Sequence, residues 1–406
     1  MKLSTITKTI LTTASLLCVN QFSAAALIPT HDSLVTVPVV SHQVERTSVH
    51  FSQPIAASQQ LSSAIDSYTG ISDEYWIEVS GKQLNQGIDL DVNHPQALIR
   101  LSAKQTKGAW LPDDHAIDPQ DLSLFKNQRS IANAFSQKVT REQLATASIF
   151  PNSSAVKIAK KAGVGKFKLK VSKTLKSNQR YLINVKEKGS AYQQVLFSER
   201  QSYLAGQTIT VRAAINYRER PLKNTKHMAF IKSPTGISQA IDYQTEQGKI
   251  RLAIPNDLPA TKPGQLYELH ISSQGRDGSS SIKRNGKVAF AVAQPTARMT
   301  GNVTANNQSA QIGLEVASEG RYEVSGIVFG YNKNKVLMPI MLSASAHYLQ
   351  AGIQQVTLNF DPEILKSSSL IGPYQLRSLK LTDQSRMAVL HRNHVKQSNA
   401  ITQLNK

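Results

Sequence analysis

The sequence predicts a mainly β protein, with an N-terminal β-rich domain that carries short helices and two immunoglobulin-like β-sandwich domains after it. Short runs of alternating apolar and polar residues recur between Gly, Pro and Asn turns, as in half-buried strands. The chain has 406 residues, which is enough for two or three domains at about 150 residues each. Only 18% of the residues are charged, and Ser, Thr, Gln and Asn suit exposed sheet faces better than long surface helices.

The first 26 residues have the pattern of a secretory signal peptide. Lys2 and Lys8 supply positive charge, residues 10–19 form an apolar stretch too short to span a bilayer, and residues 23–26 are small. A buried helix and a lipoprotein signal fit less well, because no helix cap precedes the stretch and Leu17, not a small residue, precedes Cys18. Cleavage would remove the only cysteine. We therefore expect a secreted protein, periplasmic or extracellular, without disulfides.

Residues 27–73 are expected to be an extended lead-in, because they are polar and show little periodicity. Val35, Val37, Val39 and Val40 are positioned to add one edge strand. No other segment reaches the length of apolar residues that a membrane span requires.

Residues 74–194 are expected to form the N-terminal β-rich domain. The strands predicted by alternation are residues 75–79, 97–101, 166–173 and 180–186. Two short helices are predicted to begin at Asp118, which precedes a proline, and at Thr140, which starts a capping box. The polar residues 177–179 between the last two strands favour a hairpin.

Residues 195–295 and 296–406 are each expected to form an immunoglobulin-like sandwich, because short strands recur in them at nearly regular spacing. The Cys and Trp residues typical of antibody domains are absent, so this prediction depends on pattern alone. The predicted strands are residues 206–213, 266–271, 287–292, 311–316, 322–328, 336–342, 356–360 and 374–381.

Four stretches resemble an uncharacterised family of secreted bacterial proteins, in which an N-terminal domain precedes immunoglobulin-like domains. They are residues 75–80, 203–208, 372–377 and the most distinctive, 381–391, Leu-Thr-Asp-Gln-Ser-Arg-Met-Ala-Val-Leu-His. The resemblance covers most of the chain after the signal peptide. It implies export and sandwich domains, and it carries no known catalytic residues.

Charge is segregated along the chain, which has a formal net charge of +20. Residues 60–125 hold ten acids and four bases, whereas residues 157–188 hold eleven bases and one acid, Glu187. In the predicted hairpin, apolar side chains face the core and five cations share the outer face. These anion-binding candidates are Lys166, Lys168, Lys170, Arg180 and Lys186.

Such a face fits an anionic glycan, lipopolysaccharide, an anionic lipid or a surface protein. A plain solvated strand face, in which lysines discourage edge-to-edge aggregation, explains the same pattern. Nucleic acid is disfavoured, because aromatic residues are few and no recognised nucleic-acid module is present.

Catalytic and metal motifs point to no particular enzyme, and we expect no cofactor. The sequence lacks a Gly-x-Ser-x-Gly elbow and a His-Glu-x-x-His motif. Acids at Asp89, Asp91, Asp113, Asp114 and Asp118 leave open a calcium site or a glycosidase pair.

The leading hypothesis is an exported non-enzymatic binding protein that recognises anionic envelope or surface polymers. The alternative is a secreted hydrolase with an acidic site in the N-terminal domain and accessory β-sandwich modules. A third interpretation is a periplasmic assembly factor.

Overall fold

The computed structural model describes residues 33–38, 44–56, 59, 61, 67–104, 115–147, 150, 152–262 and 264–392. The first elements are β1 (Val49–Pro54), β2 (Tyr68–Ser72), β3 (Glu74–Ser80), α1 (Gly81–Gln86), β4 (Ile88–Val92) and β5 (Leu98–Ala103). Next come β6 (Leu122–Lys126), β7 (Arg129–Ser130), β8 (Phe135–Val139), α2 (Arg141–Thr146), β9 (Ser153–Ile158), β10 (Gly165–Val171), β11 (Arg180–Lys186) and β12 (Tyr192–Ser198).

In the described part of the middle of the chain, the regular elements are all strands. It holds β13 (Ser202–Leu204), β14 (Thr208–Tyr217), β15 (Arg220–Pro221), β16 (Lys226–Lys232), β17 (Ser238–Gln239), β18 (Tyr243–Glu246), β19 (Lys249–Ala253), β20 (Tyr267–Asp277) and β21 (Ser280–Ala293). The last part holds β22 (Ala297–Ala305), β23 (Ser309–Val316), β24 (Gly320–Tyr331), β25 (Leu337–Leu349), β26 (Gly352–Asn359), α3 (Pro362–Ser367), β27 (Ile371–Asp383) and β28 (Ala388–Arg392).

The N-terminal domain packs two sheets around one core. One sheet has the order β4-β10-β6-β7 and the other β3-β11-β5-β9-β8. Phe167, Leu169 and Val171 of β10 are buried while the lysines between them are exposed, so the predicted alternation of this strand is confirmed. Apolar side chains of both sheets, from Tyr75 to Val185, form the core between them.

Two β-sandwiches follow, as the alternation predicts. The middle sandwich packs a sheet of order β18-β19-β14-β12-β2 against one of order β13-β21-β20-β16-β17. The C-terminal sandwich packs β1-β25-β24-β27-β28 against β22-β23-β26. The fold is therefore mainly β, and the three α-helices in the described part of the chain have six residues each.

The segment expected as an extended lead-in contributes strands to distant sheets. β1 pairs antiparallel with β25 of the C-terminal sandwich, and β2 pairs with β12 of the middle sandwich. Val35 and Val37 form no strand, but their backbone NH groups donate to Pro295 O and Ser318 Oγ. The edge strand thus lies later in the segment than the sequence predicts, and Val39 and Val40 lie outside the described residues.

The prediction that β10 and β11 form a hairpin is wrong. β10 pairs with β4 and β6 in one sheet, whereas β11 pairs with β3 and β5 in the other. Both strands bury their apolar side chains in the same core from opposite sides. Alternation reveals which side chains of a strand face the core, but it carries no information about which strand lies beside it.

Both predicted helix starts are confirmed. Asp118 caps a 3-10 turn at Pro119–Asp121 through Gln120 N, and Thr140 caps α2 with both capping-box hydrogen bonds present. The predicted signal peptide lies outside the described residues. No helix in the described part of the chain is long and apolar enough to cross a membrane.

A buried ion pair joins the N-terminal domain to the middle sandwich. Arg284 Nη2 donates to Glu187 Oε2 at 2.5 Å, and both side chains are fully buried. Ser190 Oγ and the carbonyl of Tyr192 also accept from the guanidinium, while Asn93 N donates to Glu187 Oε1. The two domains therefore share a fixed junction rather than a free linker.

Candidate functional site

The five sequence-predicted cations do not share one face. Lys166, Lys168 and Lys170 lie on the outer face of β10, whereas Arg180 and Lys186 lie on β11 in the other sheet. The continuous cationic surface that a hairpin would have produced is therefore not formed.

Four of these cations are paired with acids of the N-terminal domain. Asp89 accepts Lys166 Nζ at 2.9 Å and lies 3.7 Å from Lys168 Nζ. Glu78 binds Arg180 at 3.0 Å. Lys186 lies 3.5 Å from Asp73 and 3.7 Å from Glu74. No acid in the described part of the chain lies within 4 Å of Lys170.

The same ion pairs lower the pKa of these carboxyl groups, which makes them poorer proton donors at neutral pH. The hydrogen bond from Lys166 lowers the pKa of Asp89, and hydrogen bonds from Lys104 and Arg180 lower the pKa of Glu78. A glycosidase general acid needs a raised pKa. These carboxylates therefore behave as members of surface ion pairs.

The part of the chain that the structure describes also brings together no set of metal ligands. No group of three or more His, Cys, Asp or Glu side chains gathers there. Asp89 and Asp91 are bound to lysines, and Asp118 serves as a helix cap. Asp113 and Asp114 lie outside the described residues.

A trough of about 790 Å³ opens on the outer face of the larger sheet of the middle sandwich. Its floor consists of β12 and β14 side chains that alternate with core residues, and Gln247 and Asn224 lie in its walls. In the pairing of β12, β14 and β19, Phe197, Arg212 and Lys249 lie directly opposite one another. This row of an aromatic ring and two cations is the candidate functional site.

The trough is cationic and rich in hydrogen-bonding groups. Among the described residues, its lining contains no Asp or Glu. The Arg212 guanidinium lies 5.5 Å from the Phe197 ring centroid, and its one acidic contact in that part of the chain is the exposed Glu199 at 3.1 Å. Exposed pairs of this kind contribute only about 0–1 kcal/mol, so Arg212 remains available to an anion.

Two further polar side chains line the trough. Asn216 lines it, and its buried Oδ1 has no hydrogen-bond partner among the described residues. His227 also lines the trough. Its Nδ1 lies 2.8 Å from Ser273 Oγ, and burial lowers the pKa of its imidazole. At neutral pH this ring is uncharged and acts as a hydrogen-bonding group.

Sequence reasoning missed this site because its cations come from separate strands. Alternation marks Arg212 as outward-facing, since Val211 and Ala213 on either side are buried. The sequence does not indicate that Phe197 and Lys249 flank it, because that arrangement depends on register between strands.

The chain is similar to a family that is known from its sequences and from a crystal structure. The N-terminal domain model of the DUF4785 family, a domain of unknown function, matches residues 40–187, and its C-terminal domain model matches residues 296–401. A DUF4785 family protein from Legionella pneumophila, solved by crystallography, aligns with a TM-score of 0.65 and 18% identity over 90% of this chain and 97% of that one. Comparison with curated proteins finds no match.

Two further solved structures align poorly. A Salmonella alpha-2-macroglobulin mutant has a TM-score of 0.21 and 8% identity over 78% of this chain and 23% of that one. The chicken CNTN1 FN1–FN3 domains have a TM-score of 0.17 and 9% identity over 76% of this chain and 96% of that one.

Proposed function

We propose that this chain, which belongs to the DUF4785 family, is an exported, non-enzymatic binding protein that holds an anionic polysaccharide in the trough of its middle sandwich. The observation that carries the proposal is the row of Phe197, Arg212 and Lys249 in a trough without carboxylates. The acidic groups of such a polymer bind cations, and its sugar rings pack against an aromatic face.

The chemistry of the lining matches this ligand. Arg212 presents a guanidinium that can bind a carboxylate or phosphate through two parallel hydrogen bonds, and Lys249 adds a second positive charge. Amides such as Asn216, Asn224 and Gln247 both donate and accept, as sugar hydroxyls require. Because both cations are exposed, their attraction for a polyanion should weaken as salt screens it.

The domain architecture supports a binding role. The fixed Arg284–Glu187 junction holds the trough in a constant orientation relative to the N-terminal domain. A site on three strands of a packed sheet loses little conformational freedom when a ligand binds, since its backbone is already ordered.

The test is retention of the purified protein on immobilised alginate, a polyuronate, across a salt series, with neutral dextran as a second matrix. We expect retention on alginate at low salt, loss of retention at high salt and none on dextran. The variant Arg212→Glu/Lys249→Glu should lose retention.

The matched control is Lys170→Glu/Lys173→Glu, which changes the net charge equally on exposed residues of the N-terminal domain. Retention of the control on alginate would support the trough. Equal loss in both variants would show that net charge alone drives binding, and loss only in the control would assign binding to the outer face of β10. Either result would overturn the proposal, as would no retention at low salt.

A further inference from the structure

A second cavity lies between the N-terminal domain and the middle sandwich, separate from the row of cations in the trough. It has a volume of about 410 Å³ and lies between β3 and the outer face of β16, β20 and β21. Volumes of about 300–1,000 Å³ are typical of small-molecule sites, which often occur at domain junctions. We call this cavity the junction cleft.

One wall of the junction cleft carries an unsatisfied hydrogen-bond donor. Trp76 lines the cleft, and its buried Nε1 has no acceptor among the described residues. The backbone NH of Trp76 donates to Asn285 Oδ1 at 2.9 Å, so the residue is held in place at the junction. A buried donor without a partner costs about 1–3 kcal/mol, which a ligand acceptor would recover.

The opposite wall carries an exposed apolar side chain among polar ones. Met228, in the middle of β16, is 68% exposed. In the sheet register, Met228 lies opposite Ser272, and Phe230 lies opposite His270, whose ring stacks on Phe230 at 4.8 Å. The sheet face beside Trp76 is thus a surface suited to a flat apolar group.

A cation lies on the same sheet face. Lys226 precedes Met228 by two residues, so the two side chains share a face of β16, and Lys226 also lines the cleft. No acid in the described part of the chain lies within 4 Å of its Nζ. Lys283, two strands away in the same sheet, is bound to Asp91 at 2.8 Å, so Lys226 is the cation open to a ligand.

We infer that the junction cleft binds a small amphipathic anion, with its apolar body between Trp76 and Met228 and its anionic group at Lys226. An acceptor atom on this ligand would satisfy the Trp76 indole NH. The inference does not depend on polysaccharide binding in the trough, because none of these three residues lines the trough.

The test uses 1-anilinonaphthalene-8-sulfonate, an aromatic anion whose fluorescence is excited by energy transfer from tryptophan. The chain has two tryptophans, so the variant Trp110→Phe leaves Trp76 as the only donor. In this background we expect one probe to bind per chain, with quenching of Trp76 emission and sensitised probe emission.

Two exposed substitutions then define the site. Met228→Asp and Lys226→Glu should each weaken probe binding about tenfold or more, as loss of one apolar contact or one charged contact would require. The charge-matched control Lys333→Glu, in a turn of the C-terminal sandwich, should leave binding unchanged. Circular dichroism checks that each variant is folded.

Unchanged binding in both cleft variants would overturn the inference, and so would probe emission without energy transfer from Trp76. Equal weakening in Lys333→Glu would also overturn it, because binding would then follow net charge. The alginate experiment uses other residues and another probe, so failure of one result leaves the other interpretable.

Discussion

Arg284 is the largest fully buried side chain in the described chain, and its environment explains how a charge is tolerated there. Its guanidinium donates to the Glu187 carboxylate, to Ser190 Oγ and to two backbone carbonyls. A buried charge costs several kcal/mol unless it is paired and hydrogen-bonded, so the residues around this pair are strongly constrained.

Replacing Arg284 with Met is expected to destabilise the protein by about 3–5 kcal/mol, because Glu187 would remain buried without its partner. Urea unfolding followed by circular dichroism measures the change. The double variant Arg284→Met/Glu187→Leu is the control and should recover much of the loss. A loss below about 1 kcal/mol in the single variant would show that water reaches the pair.

Three half-buried histidines give the protein a defined pH dependence. Burial lowers the pKa of His227 and His270, and burial, His50 and Arg321 together lower that of His347. His347 is held between strands, since its Nδ1 lies 2.9 Å from Ser48 Oγ and its ring centroid is 5.2 Å from that of His50.

Below the ordinary histidine pKa of 6.5, the unfolded chain binds more protons than the folded chain. Stability is therefore complete above pH 6.5 and falls as the pH drops toward the folded pKa values. Urea unfolding at about pH 7.5 and about pH 5.5 should show this loss. His347→Gln should reduce the difference, and an equal difference in that variant would contradict the assignment. Glu78 and Asp89, with ordinary values of 4.5 and 3.8, contribute only at lower pH.

Among the secondary-structure elements, the segment that ends in β1 is unusual because its partners lie almost 300 residues later. Arg321 Nη1 donates to the carbonyls of Glu45 and Thr47 at 2.8 and 2.7 Å, and Arg386 Nη2 donates to the carbonyl of Val37 at 2.8 Å. Arg386 is oriented in turn by Asp383, which is fully buried. The most distinctive family stretch, residues 381–391, thus helps to hold the N-terminal segment.

Replacing Arg321 with Gln should loosen β1 while the C-terminal sandwich stays folded. Losing two hydrogen bonds of about 0.5–1.5 kcal/mol each would raise local opening about five- to 150-fold. Hydrogen exchange of residues 44–54 measures this opening. The control is Arg377→Gln on β27, because Arg377 donates its hydrogen bond to Gln375 instead. This variant should leave the exchange of residues 44–54 unchanged. Equal acceleration in β24 would indicate global destabilisation instead of local release.

In the whole molecule, the N-terminal domain and the middle sandwich are connected by more than the Arg284–Glu187 pair. Asn285 of the middle sandwich accepts a hydrogen bond at its Oδ1 from Trp76 N of the N-terminal domain at 2.9 Å. Lys283 and Asp91 form a further pair across the same junction.

We expect these two domains to unfold together in one cooperative transition, because separating them would expose a buried ion pair. Hydrogen exchange at increasing urea concentration should release core amides of β10 and β20 at the same concentration. In Asn285→Ala, which removes only exposed or half-buried contacts, the coupling should persist. Release of one domain well before the other in the wild-type protein would contradict this expectation.

Much of the fold was predictable from local sequence. Alternation located β3, β5, β10 and β11, three strands of the middle sandwich and five strands of the C-terminal sandwich, because a strand with one buried face must place apolar residues at every second position. The caps at Asp118 and Thr140 were equally predictable, because capping is a hydrogen bond within three residues.

The candidate sites were far less predictable, because they depend on contacts between distant parts of the chain. The five sequence-predicted cations face outward as expected, yet four of them are neutralised by acids that lie about 80 to 115 residues earlier. The trough row joins Phe197 and Arg212 to Lys249 only through strand register.

By itself, the sequence determined the fold class, the positions of some of the strands and the faces that those strands bury, since each follows from side-chain periodicity along the chain. Only the tertiary structure decided that β10 and β11 lie in opposite sheets and that β1 completes the C-terminal sandwich. It also decided that acids and bases that are separated along the chain form ion pairs. The physical reason is that backbone hydrogen bonds between strands are the same for every residue pair. The partner of a strand is therefore selected by the packing of complete sheets.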